Sequence, residues 1–440
     1  MKTLLLLAGQ SKRFWPLSEK PLFPICGKAL LMHVVERLEA AGCDDIIFIG
    51  SKNNLDEAKE VCASSTTLGM THDFVEQENL KLGMRGAILS ALPRCDDEPL
   101  LIVGASDVIE SDAYKEVVKI GKKGAGAILA QKVTRYFPGG YLSLDGERIA
   151  GIVEKPGAGN EPSDLVNIVC HYHQDTTALA AALRAIDDET DDGYGYERAL
   201  QNLFADHTYR AVPYDGVWQS VKYPWHLLQL LPMLLGDVQK LSLDASAQIH
   251  ASAVIEGNVV IEEDVRVLPH ATIIGPCFIG RGTIVGTNAL IRGSSVGEQC
   301  VIGYNTEVKG SVLHSHVWTH STYIGDSVIG HNVSFGGGSV TGNLRLDEGE
   351  IFSQVCEEKV GTALMKFGTI IGDHCRLGIH SSINPGVKIG AHSFVGTAAV
   401  VDSDLPDGTF ASMKEGALHL RPNTASAPKP QEREKYRKKL

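Results

Sequence analysis

At 440 residues the chain exceeds the size at which one hydrophobic core usually stops growing, and two domains are expected. A formal net charge of −12 disfavours nucleic acid as a partner, since phosphate-backbone binding needs a broad basic surface, and no stretch approaches the length of a membrane span. The nine cysteines are scattered, with no Cys-x-x-Cys pair, which argues against a disulfide framework or a zinc knuckle and for a reducing, cytoplasmic compartment.

From residue 1 to about 235, apolar runs of strand type (Thr3–Leu7, Asp45–Ile49, Leu100–Val103, Ala127–Ala130) alternate with helix-like segments such as Leu30–Ala41 and Gly86–Leu92. The alternation predicts an α/β, Rossmann-like domain with a parallel sheet whose ligands bind in the loops beyond the strand ends. The first such loop runs Ala8-Gly9-Gln10-Ser11-Lys12-Arg13 and on to Lys20-Pro21-Leu22. Small residues there let backbone N–H groups approach a phosphate, and Arg13 and Lys20 can neutralise it.

That loop resembles the signature of sugar-1-phosphate nucleotidylyltransferases, Ala-Gly-x-Gly-x-Arg followed by Pro-Lys-Pro-Leu, with Ser11 at the second glycine and Glu19 at the first proline. The resemblance continues in order. Gln77, followed by Leu82-Gly83 and Gly86-Ala87, is similar to the family's base-reading loop, with one extra residue between Gln77 and Leu82. Ser106-Asp107 is similar to the family's Gly-Asp, whose aspartate holds Mg²⁺, while Gly140, Glu154-Lys155-Pro156 and Leu165-Val166-Asn167 match its sugar-phosphate contacts. The resemblance implies in-line attack of a sugar 1-phosphate on the α-phosphorus of a nucleoside triphosphate, UTP or dTTP, helped by Mg²⁺, Arg13, Lys20 and Lys155. At Trp218-Gln219-Ser220 the family's second metal-binding aspartate is a serine. A neutral hydroxyl serves a hard cation less well than a carboxylate, which predicts a weakened or altered nucleotidyl-transfer site.

Leu227–Leu235 reads as an apolar helix at the hinge. From Leu243 the period becomes six: Leu243, Ile249, Ile255, Ile261, Val267, Ile273, Ile279, Val285 and Ile291, slipping by one near Val296 and resuming from Ile371 to Val401. This is the hexapeptide signature of a parallel β-helix over residues 236–422. Such left-handed helices, by family, usually trimerise, and a homotrimer is expected. The charged segment Asn343–Gly368 interrupts the ladder as a solvated loop, and residues 423–440 read as a flexible tail.

Within the ladder, His320-Ser-Thr-Tyr323-Ile-Gly325-Asp326 and Phe335-Gly-Gly-Gly-Ser-Val-Thr-Gly342-Asn343 carry polar groups that packing does not require. With Lys366-Phe367-Gly368, they resemble the acetyltransferase half of the bifunctional glucosamine-1-phosphate acetyltransferase/N-acetylglucosamine-1-phosphate uridyltransferases, especially the archaeal-type members. The resemblance implies acetyl-CoA as co-substrate, His320 as general base, Asn343 on the amine or thioester, Tyr323 orienting the sugar, and Arg292 with Lys309 on the phosphate. Glycines 336 to 338 would admit the pantetheine chain. Three competing readings are a nucleotidyltransferase on a trimerising scaffold, a regulatory trimer without turnover, and a metal site at His314, His316 and His320.

Overall fold

The computed structural model describes residues 1–9, 11–64, 69–189 and 191–440. The chain forms two compact units, one of residues 1–10 and 29–220, the other of residues 11–28 and 221–440. The phosphate-loop segment 11–28 thus groups with the C-terminal unit, which neither of the expected domain boundaries anticipates.

The first unit is built on a nine-stranded sheet. Its strands run in the order Thr71–Glu76, Asp45–Gly50, Lys2–Leu6, Leu100–Gly104, Leu165–His173, Gly126–Lys132, Tyr209–Tyr214, Arg148–Glu154 and Gly140–Asp145. Leu4, Leu5, Ile46, Ile47, Leu101 and Ile102 are completely or almost completely buried, as continuous apolar runs must be when helices cover both sheet faces. The expected parallel sheet is present where Lys2–Leu6 pairs with Asp45–Gly50 and with Leu100–Gly104, and antiparallel strands extend it. Leu165–His173 runs antiparallel to both of its neighbours, and Gly140–Asp145 with Arg148–Glu154 forms an antiparallel pair. A short turn joins those two, a connection that parallel strands cannot use.

In the second unit the six-residue ladder becomes three parallel sheets wound as a β-helix. Ile261, Ile273, Ile279, Val285, Ile291, Ile302, Ile324, Ile329, Ile371 and Ile389 form its buried axis. Successive coils are linked by backbone-to-hydroxyl bonds at separations of 18, then 17, then 16 residues, and of 42 across the insertion. Asp264, His270, Asn288, Asn305, His316, Asn332, His374, His380 and His392 all have φ between +54° and +62°. Asn, Asp and His tolerate this left-handed region best among non-glycine residues, which accounts for many of the histidines in this half of the chain. Leu243, the first rung, is left half-exposed because no coil precedes it.

Two expectations fail here. The insertion is not an irregular loop: Ile351–Val355 and Glu358–Leu364 pair as an antiparallel hairpin, anchored where Ser353 Oγ donates to the Gly386 carbonyl. The tail is not a free segment either. Pro430–Arg437 forms a helix whose Arg433 guanidinium lies 3.9 Å from the Trp318 ring centroid.

Candidate active site

On one sheet of the β-helix, Leu290, Glu307, Tyr323 and Val340 stand in register, and beside them Arg292, Lys309 and Gly325. Because inward positions are fixed by the aliphatic ladder, the alternate side chains of this face project outward together. Lys309 Nζ lies 2.8 Å from Asp326 Oδ2, and Asn343 Nδ2 donates to the same carboxylate oxygen at 2.5 Å and to Tyr323 Oη at 3.1 Å. Arg292 holds Glu307 Oε1 through Nε at 3.0 Å and Nη2 at 2.5 Å. Burial pushes the Tyr323 hydroxyl up from its ordinary pKa, so it is neutral and able to donate at pH 7.

Sequence reasoning quoted Asp326 without a role. It is the centre that draws Lys309 and Asn343 together, a function set by coil stacking and invisible in linear order. His320 sits at the adjoining corner, exposed, with its carbonyl accepting from Thr322 Oγ1 at 2.9 Å. Among the described residues its ring makes no hydrogen bond with Tyr323, Asn343 or Asp326. Of the three glycines, Gly336 and Gly338 are demanded by packing, since a Cβ would lie 2.7 Å from Ile379 N and 2.5 Å from His380 Nδ1 respectively. A Cβ at Gly337 would meet nothing closer than the His320 carbonyl at 3.9 Å.

Within one chain His314, His316 and His320 do not converge. His314 and His316 each pack edge-on against His331, not His320, and the row continues through His374 to His392. Among the described residues no group of three or more His, Cys, Asp or Glu side chains could hold a metal ion.

In the first unit, Asp107 and Ser220 face each other in a two-residue antiparallel pair, and Trp218 Nε1 donates to Asp107 Oδ1 at 3.2 Å. One carboxylate beside a hydroxyl fits Mg²⁺ when phosphate oxygens and water supply the other ligands, the usual arrangement for that ion. Gly140 is opposite Glu154, and a Cβ there would collide with Glu154 Oε1 at 2.4 Å. Lys155 follows in the left-handed region with φ +43°. Gly9 is exposed with open space around it. Gln77 differs from expectation: it is buried, and its amide nitrogen donates to the carbonyls of Asn79 (3.0 Å) and Gly83 (2.9 Å), so it shapes the loop. Gly83 takes φ +52°, and a Cβ there would lie 2.8 Å from the Gly193 carbonyl oxygen.

Arg13 and Lys20 lie on two short 3₁₀ turns of the segment 11–28. The two departures from the signature explain each other. Ser11 Oγ accepts the Lys20 backbone N–H at 3.2 Å and donates to Glu19 Oε2 at 3.4 Å. The segment is fixed to the β-helix by Trp15 Nε1, which donates to Asp407 Oδ1 at 2.9 Å, and by the Cys26 N–H on Ser295 Oγ at 2.8 Å.

A "Nucleotidyl transferase" family model matches residues 2–221, and a "GMPPB C-terminal domain" model matches 238–355. A bifunctional sugar-1-phosphate nucleotidylyltransferase/acetyltransferase of Sulfurisphaera tokodaii is 31% identical, covering 93% of this chain and 99% of its own. This chain belongs to that bifunctional family. A relative named bifunctional protein GlmU from Methanocaldococcus jannaschii is 31% identical over 94% of this chain and 98% of its own, and one from Methanococcus aeolicus is 30% identical over 94% and 98%. These relatives thus align with both units. No helix among the described residues is long and apolar enough to cross a membrane, and all nine cysteines are free thiols.

Proposed function

We propose that the protein is a cytoplasmic, homotrimeric enzyme that N-acetylates glucosamine 1-phosphate from acetyl-CoA in its β-helix and couples a sugar 1-phosphate to the nucleotidyl group of UTP or dTTP in its first unit. The observation that carries the reading is the Lys309–Asp326–Asn343–Tyr323 cluster beside Arg292, in a chain aligned over nearly its whole length with bifunctional relatives. In the acetyl transfer, the substrate amine attacks the thioester carbonyl carbon and the carbon–sulfur bond breaks, releasing the thiol. His320 takes the proton the amine loses and returns it to the departing sulfur. Arg292 and Lys309 hold the sugar phosphate, each exchanging part of its carboxylate partner for a phosphate oxygen. Asn343 and Tyr323 orient amine and sugar.

In the nucleotidyl transfer, a sugar-phosphate oxygen attacks the α-phosphorus and pyrophosphate departs. Asp107 would hold Mg²⁺ with Ser220 beside it, and the bound ion would neutralise charge on the phosphates. Gly9, Arg13 and Lys20 cradle the triphosphate, Gln77 and Gly83 form the base loop, and Gly140, Glu154, Lys155 and Asn167 line the sugar phosphate. Both half-reactions are to be assayed on one preparation. His320→Ala is expected to abolish acetyl-CoA-dependent acetylation and leave pyrophosphate release intact; acetylation that survives the substitution would overturn the assignment. Ser220 favours a second reading, in which acetyl transfer is the main activity and nucleotidyl transfer is slow.

A further inference from the structure

Behind Asn167 the first unit holds a row of polar side chains that neither reaction uses. Tyr196, His171, His173 and Tyr209 are each at most 2% exposed. Tyr209 Oη is 2.7 Å from His173 Nδ1, His173 Nε2 is 3.1 Å from Tyr196 Oη, Tyr196 Oη is 2.7 Å from His171 Nδ1, and His171 Nε2 is 2.8 Å from Asn167 Oδ1. A buried core rarely keeps four such groups unless every one is satisfied, because each unpaired group is costly.

The direction of the chain follows from its outer end. Each neutral imidazole has one donor and one acceptor, and each phenol has one proton to give. A carbonyl oxygen only accepts, so His171 must carry its proton on Nε2. Its Nδ1 then accepts from Tyr196, whose oxygen accepts from His173 Nε2–H, and His173 Nδ1 accepts from Tyr209. Burial holds both histidines down to about 3, so they stay neutral and the order persists through the physiological range; a backbone hydrogen bond at Ile168 opposes the shift at His171, and His171 adds to it at His173.

We propose that the Tyr209–His173–Tyr196–His171 chain is a positioning device for Asn167: it holds the amide oxygen inward and turns the N–H₂ outward, so that this position recognises an oxygen acceptor of the sugar 1-phosphate. The proposal rests on the reading of Asn167 as a sugar-phosphate contact. Both histidines lie on one strand, Leu165–His173, whose register shifts between Asn167 and His171. That irregularity is what lets Asn167, four residues before His171, be reached by the His171 ring.

The test uses the full chain in the nucleotidyl-transfer assay. Tyr196→Phe keeps the ring and removes the hydroxyl that fixes His171. It is expected to raise KM for the sugar 1-phosphate about tenfold, leaving KM for the triphosphate and the acetyl-transfer rate unchanged. His171→Gln keeps a side-chain N–H near the former Nε2 and is expected to rescue KM, whereas His171→Leu is not. Histidine-selective ¹⁵N NMR of the wild-type protein should find His171 as the Nε2–H tautomer, a readout that stands if the leucine variant fails to fold. The Nδ1–H tautomer would overturn the proposal. So would an unchanged sugar-phosphate KM in Tyr196→Phe, or a loss spread evenly over both half-reactions, when Asn167→Ala raises that KM. An Asn167→Ala enzyme with unaltered KM would instead remove Asn167 from the sugar site, and the relay's role with it.

Discussion

Ser220 is the residue on which the proposed nucleotidyl-transfer site turns. Its backbone pairs directly with that of Asp107, so a side chain at 220 stands beside the Asp107 carboxylate. Replacing the hydroxyl by a carboxylate adds a charged oxygen ligand within reach of the same ion, and ligand charge is what tunes affinity for hard divalent cations. Ser220→Asp is therefore expected to lower the Mg²⁺ concentration for half-maximal pyrophosphate release by roughly tenfold. An unchanged requirement in a Mg²⁺ titration would mean that position 220 does not face the ion. Ser11 teaches the opposite lesson. It too departs from the family signature, but its hydroxyl caps the Lys20 N–H and pairs with Glu19, the other departure. One substitution removes a ligand; the other pair rebuilds a turn.

Among the elements, the segment 11–28 carries Arg13 and Lys20, proposed to bind phosphate, on a backbone tied to the β-helix. The Trp15 indole donates to Asp407, and the Lys388 ammonium lies 4.9 Å above its ring. Asp407 also accepts the Ala391 N–H, so altering it would disturb a β-helix turn, whereas Trp15→Phe removes one N–H and keeps the ring. Losing one such bond, worth ~1 kcal/mol, should cut kcat/KM for nucleotidyl transfer about fivefold. Parallel assays of pyrophosphate and thiol release would show acetyl transfer unchanged; equal losses in both would assign the anchor to general stability. This anchor was not legible in the sequence, because it joins residues 15 and 407 through contacts no local pattern encodes. The six-residue ladder was legible from Ile261 to Ile291 and from Ile371 to Val401, where the inward residues repeat at the buried period itself. The hairpin Ile351–Leu364 was not: Phe352 is exposed, and Glu357, Glu358 and Lys359 crowd its turn with charge, so it read as loop. The helix Pro430–Arg437 buries no residue completely and is held by Arg433 on Trp318, again a long-range contact. Asp107, Gly140 and Glu154 were named from motif order, whereas Asp326 and the His171–Tyr196 chain needed neighbouring coils and strands to draw notice.

The whole molecule shares one electrostatic property that no single motif announces: both units bury neutral histidines. Burial lowers His171, His173 and His314 to about 3 and His316 to about 4, and it also lowers His331 and His374. In the unfolded chain each returns towards 6.5. Between these values the unfolded state binds more protons than the folded one, so stability is complete above about pH 6.5 and declines as pH falls towards the folded values. Glu197 works against this, because burial raises its carboxyl to about 7, and below that value the folded state binds its proton before the unfolded state does. Burial raises Glu262 and Asp404 as well, so three carboxyls oppose six lowered imidazoles, and the histidines decide the sign. Urea unfolding followed at pH 7.5 and pH 5 should give a lower midpoint at pH 5 with an unchanged slope, and His171→Gln should reduce the difference. A midpoint that holds steady or rises on acidification would mean that these imidazoles are protonated within the folded protein, and the ordered chain behind Asn167 could not then exist as drawn.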